Sequence, residues 1–398
     1  MSLRVLYSFP GRLGLPGIES IAWHQAMGLI AQGVEVTVHC GSCERAIDGA
    51  RRVVETLKPL GVRVPYSAIG LDRAIRLHDF RVSRTLARRR GEFDLVHGWP
   101  LASLKTFQTA HKHGVATALE RPNTHTRFAY EVVGEEVRRL GLTLPPTHSH
   151  AFNERRLARE EAEYALADKL MCPSPFVART FLDRGFDESA IGRTQYGCDP
   201  SRFLARKRTV SDEDPFTVAF VGRCEPRKGL HFALEAWRKS GVCERGRFLI
   251  AGSFIPGYRE AIADLLDHPS VEELGFVSDV PGVMCRSHAL VLSSIEEGSA
   301  LVTYEARACG CVLLVSDATG APCEHNQTAL MHHARDIDAL AEHMALLERD
   351  LDLRRRLREA SLATVDELTW ETASKRVKGV YERAVESRRP VAKAGGGA

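Results

Sequence analysis

Two short segments in the second half of the chain hold the residues best suited to chemistry. In Val221-Gly222-Arg223-Cys224-Glu225-Pro226-Arg227-Lys228-Gly229 an apolar run ends at Gly222. Pro226 stands where a helix could begin, since its missing N–H costs nothing there. Arg223 and Lys228 flank this strand end and helix start, where two cations and the backbone dipole can bind a pyrophosphate. The spacing is not that of a P-loop. The second segment runs from Ser294 to Glu305, after the apolar run His288–Leu292. A helix is expected over Ala300–Cys309, with Glu297 in the turn before it and Glu305 inside it. The amides of Gly298, Ser299, Ala300 and Leu301 would be the unpaired donors of that helix start. A carboxylate in such a turn can accept from sugar hydroxyls, and one farther along can clamp a ribose diol. A capping role for Glu297 and a surface role for Glu305 fit the residues equally well.

Such groups need rigid elements to hold them. Arg4–Phe9 reads as a strand, followed by a Gly/Pro loop from Pro10 to Gly17 and a helix from Ile18 to about Gln32. Val34–Cys40, Asp94–His97, Ala116–Glu120 and Lys169–Cys172 are further strands, most of them followed by a helical pattern. The series restarts with strands Phe216–Gly222, Phe248–Ala251, Val271–Phe276, His288–Leu292 and Val312–Val315, and a helix Lys228–Lys239. Buried strands alternating with helices imply parallel sheets covered on both faces. Ligands then bind at the carboxyl ends of the strands. Arg121 to about His150 breaks the pattern with a polar stretch containing His and Pro, too long for an ordinary connection and read as a functional excursion. The expected division is a first domain over 1–207, a second over 208–369, a closing helix over 370–387 and a flexible tail over 388–398.

At 398 residues the chain is too long for one core and suits two. Its 44% hydrophobic and 26% charged residues exclude collagen-like, coiled-coil and largely disordered classes. No apolar run reaches the ~18–20 residues of a membrane span. With no apolar leader at the start, a cytoplasmic location is expected. The ten cysteines are then expected as reduced, buried thiols, and no metal site is assigned. The net charge of +3 is unevenly shared: residues 1–210 hold 31 Lys+Arg and 22 Asp+Glu, or +9, and the rest −6. A basic front half, with Arg88-Arg89-Arg90, Arg138-Arg139 and Arg155-Arg156, suits an anionic partner such as a membrane surface. A solvated arginine-rich exterior explains it as simply. Nucleic acid is not expected, because no aromatics interleave these runs.

Taken together, the motifs resemble the retaining glycosyltransferases of family four. The match rests on Phe220-Val221-Gly222-Arg223 with Lys228-Gly229, on Glu297 and Glu305 eight residues apart, and on Gly275-Phe276-Val277 with Asp279-Val280-Pro281. It extends through Glu163-Tyr164, Ala167-Asp168, Pro173-Ser174, Phe176, Tyr196-Gly197-Cys198-Asp199, Phe203 and Thr369-Trp370-Glu371, nearly the whole chain. The resemblance implies two Rossmann-like domains facing across a cleft, the GT-B architecture, with the last helix returning to the first domain. It implies that Arg223 and Lys228 hold the donor diphosphate and stabilise the leaving phosphate without a metal. Glu305 would hold the ribose, Glu297 the donor sugar, Val277 the base through its backbone, and Gly17 would approach the phosphate from the first domain. Gly298, Ser299, Ala300 and Leu301 would line the donor site. Here Ser299-Ala300 replaces the family's more usual Phe-Gly, which sets a methyl near the donor, and Leu15-Pro16-Gly17 replaces a glycine pair.

A catalytic histidine is also implied, at a strand end of the first domain. His125, in Glu120-Arg121-Pro122-Asn123-Thr124-His125, and His97 compete for it. Glu120 and Arg121 are expected in the same cleft, or as an ion pair with each other. The acidic run Asp212-Glu213-Asp214 resembles a cation-binding motif of another glycosyltransferase fold, but its place in the linker argues for solvated carboxylates.

The activity so implied is metal-independent, retaining transfer from a UDP- or GDP-sugar to a glycan or lipid-linked acceptor, in glycan, polysaccharide or glycolipid synthesis. No cofactor is required beyond that donor. The enzyme would be cytoplasmic, or peripheral on the inner face of the membrane. A nucleotide-sugar epimerase on the same scaffold and an inactive nucleotide-sugar-binding protein are the alternatives. A dinucleotide-dependent oxidoreductase is not supported, since Gly11–Gly17 lacks the GxGxxG spacing.

Overall fold

The computed structural model describes residues 2–58, 70–199, 201, 203 and 208–388. Among the described residues thirteen strands form two sheets. The first holds β1 (Arg4–Leu13), β2 (Glu35–Cys43), β3 (Arg52–Glu55), β4 (Leu95–Gly98), β5 (Ala116–Glu120), β6 (Lys169–Cys172) and β7 (Ile191–Arg193), in the order β3-β2-β1-β4-β5-β6-β7. The second holds β8 (Thr217–Val221), β9 (Arg247–Ala251), β10 (Val271–Gly275), β11 (Ala289–Leu292), β12 (Val312–Ser316) and β13 (Ala329–His332), in the order β10-β9-β8-β11-β12-β13. Every adjacent pair is parallel. The central strands β5, β8, β11 and β12 are buried along their whole length, which is why apolar residues dominate them on both faces. This is the two-domain Rossmann-like GT-B fold.

Both sheets reverse their strand order at the centre, between β1 and β4 and between β8 and β11. The loops after those strands diverge there and open a crevice. Residues about seventy apart in the chain, at the ends of β8 and β11, are thereby made neighbours.

Several elements differ from the sequence reading for local reasons. The helix expected from Lys228 starts at Leu230, because Gly229 sits at φ +67° and ends the short turn Pro226–Lys228. A side chain at 229 would also put its Cβ 1.9 Å from the Ser293 carbonyl oxygen, so only glycine lets this turn lie against the end of β11. The excursion after Arg121 is not irregular throughout; it forms the helix Thr126–Arg139 before a turn-rich segment up to Asn153. Asn153 and Ser174 cap the helices Glu154–Tyr164 and Pro175–Leu182 through their side chains.

The closing helix, Trp370–Arg388, packs on the first sheet. Trp370 stacks on His24 with centroids 4.5 Å apart, and Tyr381 Oη lies 2.6 Å from His97 Nδ1. Arg388, expected in the tail, instead forms the helix end and grips Asp168 through Nε and Nη2 at 2.7 and 2.8 Å. The remainder of the expected tail, and the expected boundary at residue 207, lie outside the described residues. Asp212 of the acidic run pairs with Arg354 and Arg355, and Asp214 accepts from the Ser211 amide. All ten cysteines are free. No helix among the described residues is long and apolar enough to cross a membrane.

Candidate active site

The site forms where the loop after β8 meets the loop after β11, against the first domain. Lys228 and Glu297 form an ion pair here, its side chains largely buried. Arg227 lies beside them. Its Nη1 is 2.9 Å from Glu297 Oε2 and donates to the Glu296 carbonyl at 2.9 Å, while Nε donates to Glu225 Oε1 at 2.9 Å. Burial opposes the charge on Arg227, but Glu297, Glu225 and Glu296 outweigh it and raise its pKa further. Arg227 is therefore a fixed cation, already committed to three acids.

The other expected donor-site residues are spread around this pair. Arg223 is exposed just past β8 and, among the described residues, has no carboxylate partner. Glu305 lies half-buried on the helix Leu301–Ala308, and its charge is felt by Cys198. Val277 is half-buried against the second core, beside Phe276, which is 83% exposed. Gly17 is exposed at the start of the helix Ile18–Ala31.

The loop from Gly298 to Leu301 is tightly bound to its surroundings. The Ser174 hydroxyl donates to the Gly298 carbonyl at 2.6 Å, and a Cβ at 298 would lie 1.8 Å from the Pro122 carbonyl oxygen. The two domains approach here backbone to backbone. Ser299 Oγ reaches Tyr304 Oη at 2.8 Å and the Gly320 carbonyl at 2.9 Å. The Ala300 amide is not unpaired as expected; it donates to the Thr319 carbonyl at 3.3 Å, and the Ala300 methyl joins the apolar core. Leu301 is half-buried at the start of the helix.

Neither expected histidine lies in this cluster. His125 is 3% exposed, caps the helix Thr126–Arg139 by accepting from the Arg127 amide, and packs among Tyr164, Phe181 and Phe186. Burial, with Arg121, Arg184 and Arg127 nearby, lowers its pKa to about 3. His97 is fully buried, stacked on Tyr7 and bound to Tyr381, with its pKa lowered to about 3 by burial. Glu120 and Arg121 do not pair as a strand-end couple. Arg121 Nη1 donates to Glu160 at 2.7 Å, under Tyr164. Glu120 is fully buried and accepts from Gln25 at 3.0 Å and Tyr196 at 2.9 Å. Burial pushes its carboxyl up to about 7, against those bonds and the Arg121 charge. A strand-end motif in sequence does not say which way each side chain turns, and here both turn into the first core.

The residues that do reach across the crevice escaped notice in the sequence. Thr124 donates to Glu296 Oε1 from its amide at 3.1 Å and its hydroxyl at 2.7 Å. His150 Nε2 lies 3.1 Å from Glu296 Oε2, and His148 Nε2 lies 2.9 Å from Glu225 Oε2. The available signals were the adjacent Glu296-Glu297 after a buried strand and the His148/His150 spacing in an otherwise unassigned excursion. A cavity of about 680 Å³ adjoins His150 on the first domain, walled by Tyr130, Val137, Leu142, Phe152 and Leu157.

Two family models match successive parts of the chain, Glycosyltransferase Family 4 over residues 16–202 and Glycosyl transferases group 1 over residues 215–350. The chain belongs to the family-four glycosyltransferases. This glycosyltransferase is 25% identical over 282 residues to the O-antigen chain mannosyltransferase B of Escherichia coli, covering 69% of each chain. Among solved structures it superposes on the sucrose-phosphate synthase of Thermosynechococcus elongatus with a TM-score of 0.71 at 18% identity, covering 97% and 100% of the two chains. Anabaena HepE in complex with UDP and glucose gives 0.62 at 15% identity, covering 96% and 100%. At such identities the structural likeness concerns the fold. The family places the chemistry of this glycosyltransferase in sugar transfer.

Proposed function

We propose that this glycosyltransferase moves a sugar from a UDP- or GDP-sugar to an acceptor hydroxyl with retention and without a metal, in polysaccharide or lipopolysaccharide-type synthesis. The Lys228–Glu297 pair at the switch point carries the reading. An incoming diphosphate offers Lys228 more negative charge than one carboxylate does, so it displaces Glu297. The freed Glu297 then accepts from the donor sugar's hydroxyls. Arg223, exposed beside them, is free to add a second cation to the leaving phosphate. As the glycosidic bond breaks, the pair of cations stabilises the departing diphosphate. A phosphate oxygen takes the proton of the attacking hydroxyl on the same face, which retains the anomeric configuration. Gly17 would approach from the first domain, Val277 would meet the base and Glu305 the ribose.

Relatives support the chemistry by name: the HepE structure holds UDP and glucose, and the Escherichia coli relative is a mannosyltransferase. The acceptor would lie on the first domain, with the apolar cavity beside His150 taking its less polar part. The buried settings of His97 and His125 give them structural work in this scheme, and the diphosphate acts as the base.

The test is a thermal-shift screen of UDP and GDP, followed by donor turnover in EDTA. A nucleotide at 100 times its dissociation constant stabilises by about 2.7 kcal/mol. One of the two should do so, and EDTA should leave turnover unchanged. Loss of turnover on chelation would defeat the metal-free scheme, and donor conversion into an epimer without acceptor would defeat transfer.

A peripheral membrane site on the cytoplasmic face is the second part of the proposal. Leu71 and Phe80 are 46% and 43% exposed on the helix Leu71–Arg88, among Arg73, Arg76 and Arg84. Arg76 and Arg156 also line a groove with Arg155 and Arg159. Apolar side chains among guanidinium groups suit an interface with anionic lipid. Vesicles with anionic lipid should bind the protein at low salt and release it at high salt. Equal binding to neutral vesicles, or none at low salt, removes this part.

A further inference from the structure

Glu225 and Glu296 are both buried and both held twice, once by Arg227 and once by a first-domain histidine. The chain of contacts runs His148–Glu225–Arg227–Glu296–His150, at 2.9, 2.9, 3.4 and 3.1 Å. Only Arg227 and the two acids belong to the second domain. The His150 amide donates to His148 Nδ1 at 3.2 Å, so His148 presents its Nε2 hydrogen to Glu225. Thr124 adds two bonds to Glu296, both from the first domain. Glu296 is 0% exposed and immediately precedes Glu297. Burial opposes its charge, and the His150 bond, Arg227 and Thr124 hold its carboxyl far below the ordinary range. A carboxylate so buried is stable only while those partners surround it. Were the domains to part, Glu296 would lose Thr124 and His150 and Glu225 would lose His148, leaving Arg227 as the remaining partner of those two acids among the described residues.

We propose that Glu296 is a positioning residue, which fixes Arg227 and the Lys228–Glu297 pair in register only when the first domain closes over it through Thr124 and His150. The role rests on the donor-site reading above. It makes the geometry of the phosphate-binding loop depend on closure. The segment that carries the histidines also walls the cavity beside the site with His150 and Phe152, so the closing element and the first-domain pocket are one piece.

The experiment compares wild type with Glu296→Gln, Glu296→Asp and Thr124→Val, by small-angle scattering without ligand and by calorimetry with UDP and GDP. Glu296→Gln keeps the shape and the Thr124 acceptor but loses the charge. It should enlarge the radius of gyration and weaken nucleotide binding roughly tenfold. Glu296→Asp, which keeps the charge, should recover most of the affinity; a role in packing alone would favour Gln over Asp. Thr124→Val should shift both readouts in the same direction by less. Unchanged scattering and affinity in Glu296→Gln and Thr124→Val would overturn the proposal. Should wild type bind neither nucleotide, the donor reading fails, and the scattering comparison still decides the closure role.

Discussion

Replacing Lys228 with alanine is expected to slow donor turnover by about 10²–10³-fold, the usual cost of removing one group that stabilises developing charge, while leaving the melting temperature nearly unchanged. The two halves of that expectation have separate causes. Catalysis suffers because Lys228 is the cation whose partner, Glu297, a diphosphate can replace. Stability does not, because Arg227 still stands 2.9 Å from Glu297 and leaves no buried charge unpaired. Arg227→Ala should behave in the opposite way. It strips the shared cation from Glu225, Glu296 and Glu297. Removing one partner of a buried charge set costs about 3–5 kcal/mol, so this variant should lose stability first and activity as a consequence. Release of nucleoside diphosphate and thermal melting, measured on both variants, separate the cases. Full turnover in Lys228→Ala would sink the donor-site assignment.

The second large effect is acid unfolding at mildly low pH. Six buried histidines have lowered pKa values chiefly because burial disfavours their charged forms: His78, His97 and His125 to about 3, and His39, His288 and His332 to about 4. The sign follows from proton counts. Below the ordinary pKa near 6.5 the unfolded chain binds protons that the folded chain refuses, so stability is full above that pH and falls as pH drops towards 4. One pKa unit corresponds to about 1.4 kcal/mol. Each such site refuses a proton over more than two pH units, so six remove on the order of 20 kcal/mol by pH 4, more than the whole stability of a domain, about 5–15 kcal/mol. Glu120 acts in the other direction: its carboxyl, raised to about 7, favours the fold at low pH and weakens it as pH rises from about 4.5 through 7. The Glu163 carboxyl, pushed up to about 8 by burial, acts in the same sense as Glu120, and two groups do not offset six. The unfolding midpoint should fall between about pH 4 and 6, and His→Phe or His→Leu at one of these sites should move it down. A flat melting temperature from pH 7 to 4 would contradict the account.

Much of the architecture was legible because burial on both faces leaves a simple trace. The strands Ala116–Glu120 and Lys169–Cys172 were read to the residue, and most of the central strands to within one or two, since a strand covered by helices on both faces is rich in apolar residues. The edge strands β3, β7 and β13 were missed. β3 and β7 are short, and β3 is partly exposed, so their residues carry no unbroken apolar run. The helix Thr126–Arg139 was hidden by its own work: its residues face the first core, the second domain and a cavity at once, which mixes polar and apolar positions.

Single residues were harder than elements. Lys228 and Glu297 stood out because each follows a buried strand, and the fold brings them into contact. His97, His125, Glu120 and Arg121 also follow or end strands, yet they turn into the first core, where aromatic rings, Gln25 and Glu160 complete their bonds. Arg227, Glu225 and Glu296 sat inside or beside the motifs without being chosen, since charge alone does not reveal which carboxylate a guanidinium meets.

The amino-acid order by itself determined the alternation of strand and helix, the presence of two such halves and the family, because periodicity and local motifs are properties of neighbours along the chain. Only the tertiary structure decided that the end of β8 lies beside the end of β11, and that Thr124, His148 and His150 close on Glu225 and Glu296. Those contacts span tens to more than a hundred residues. They exist because each parallel sheet reverses its strand order at its centre and because the two domains settle against each other, neither of which is written in any short stretch of sequence.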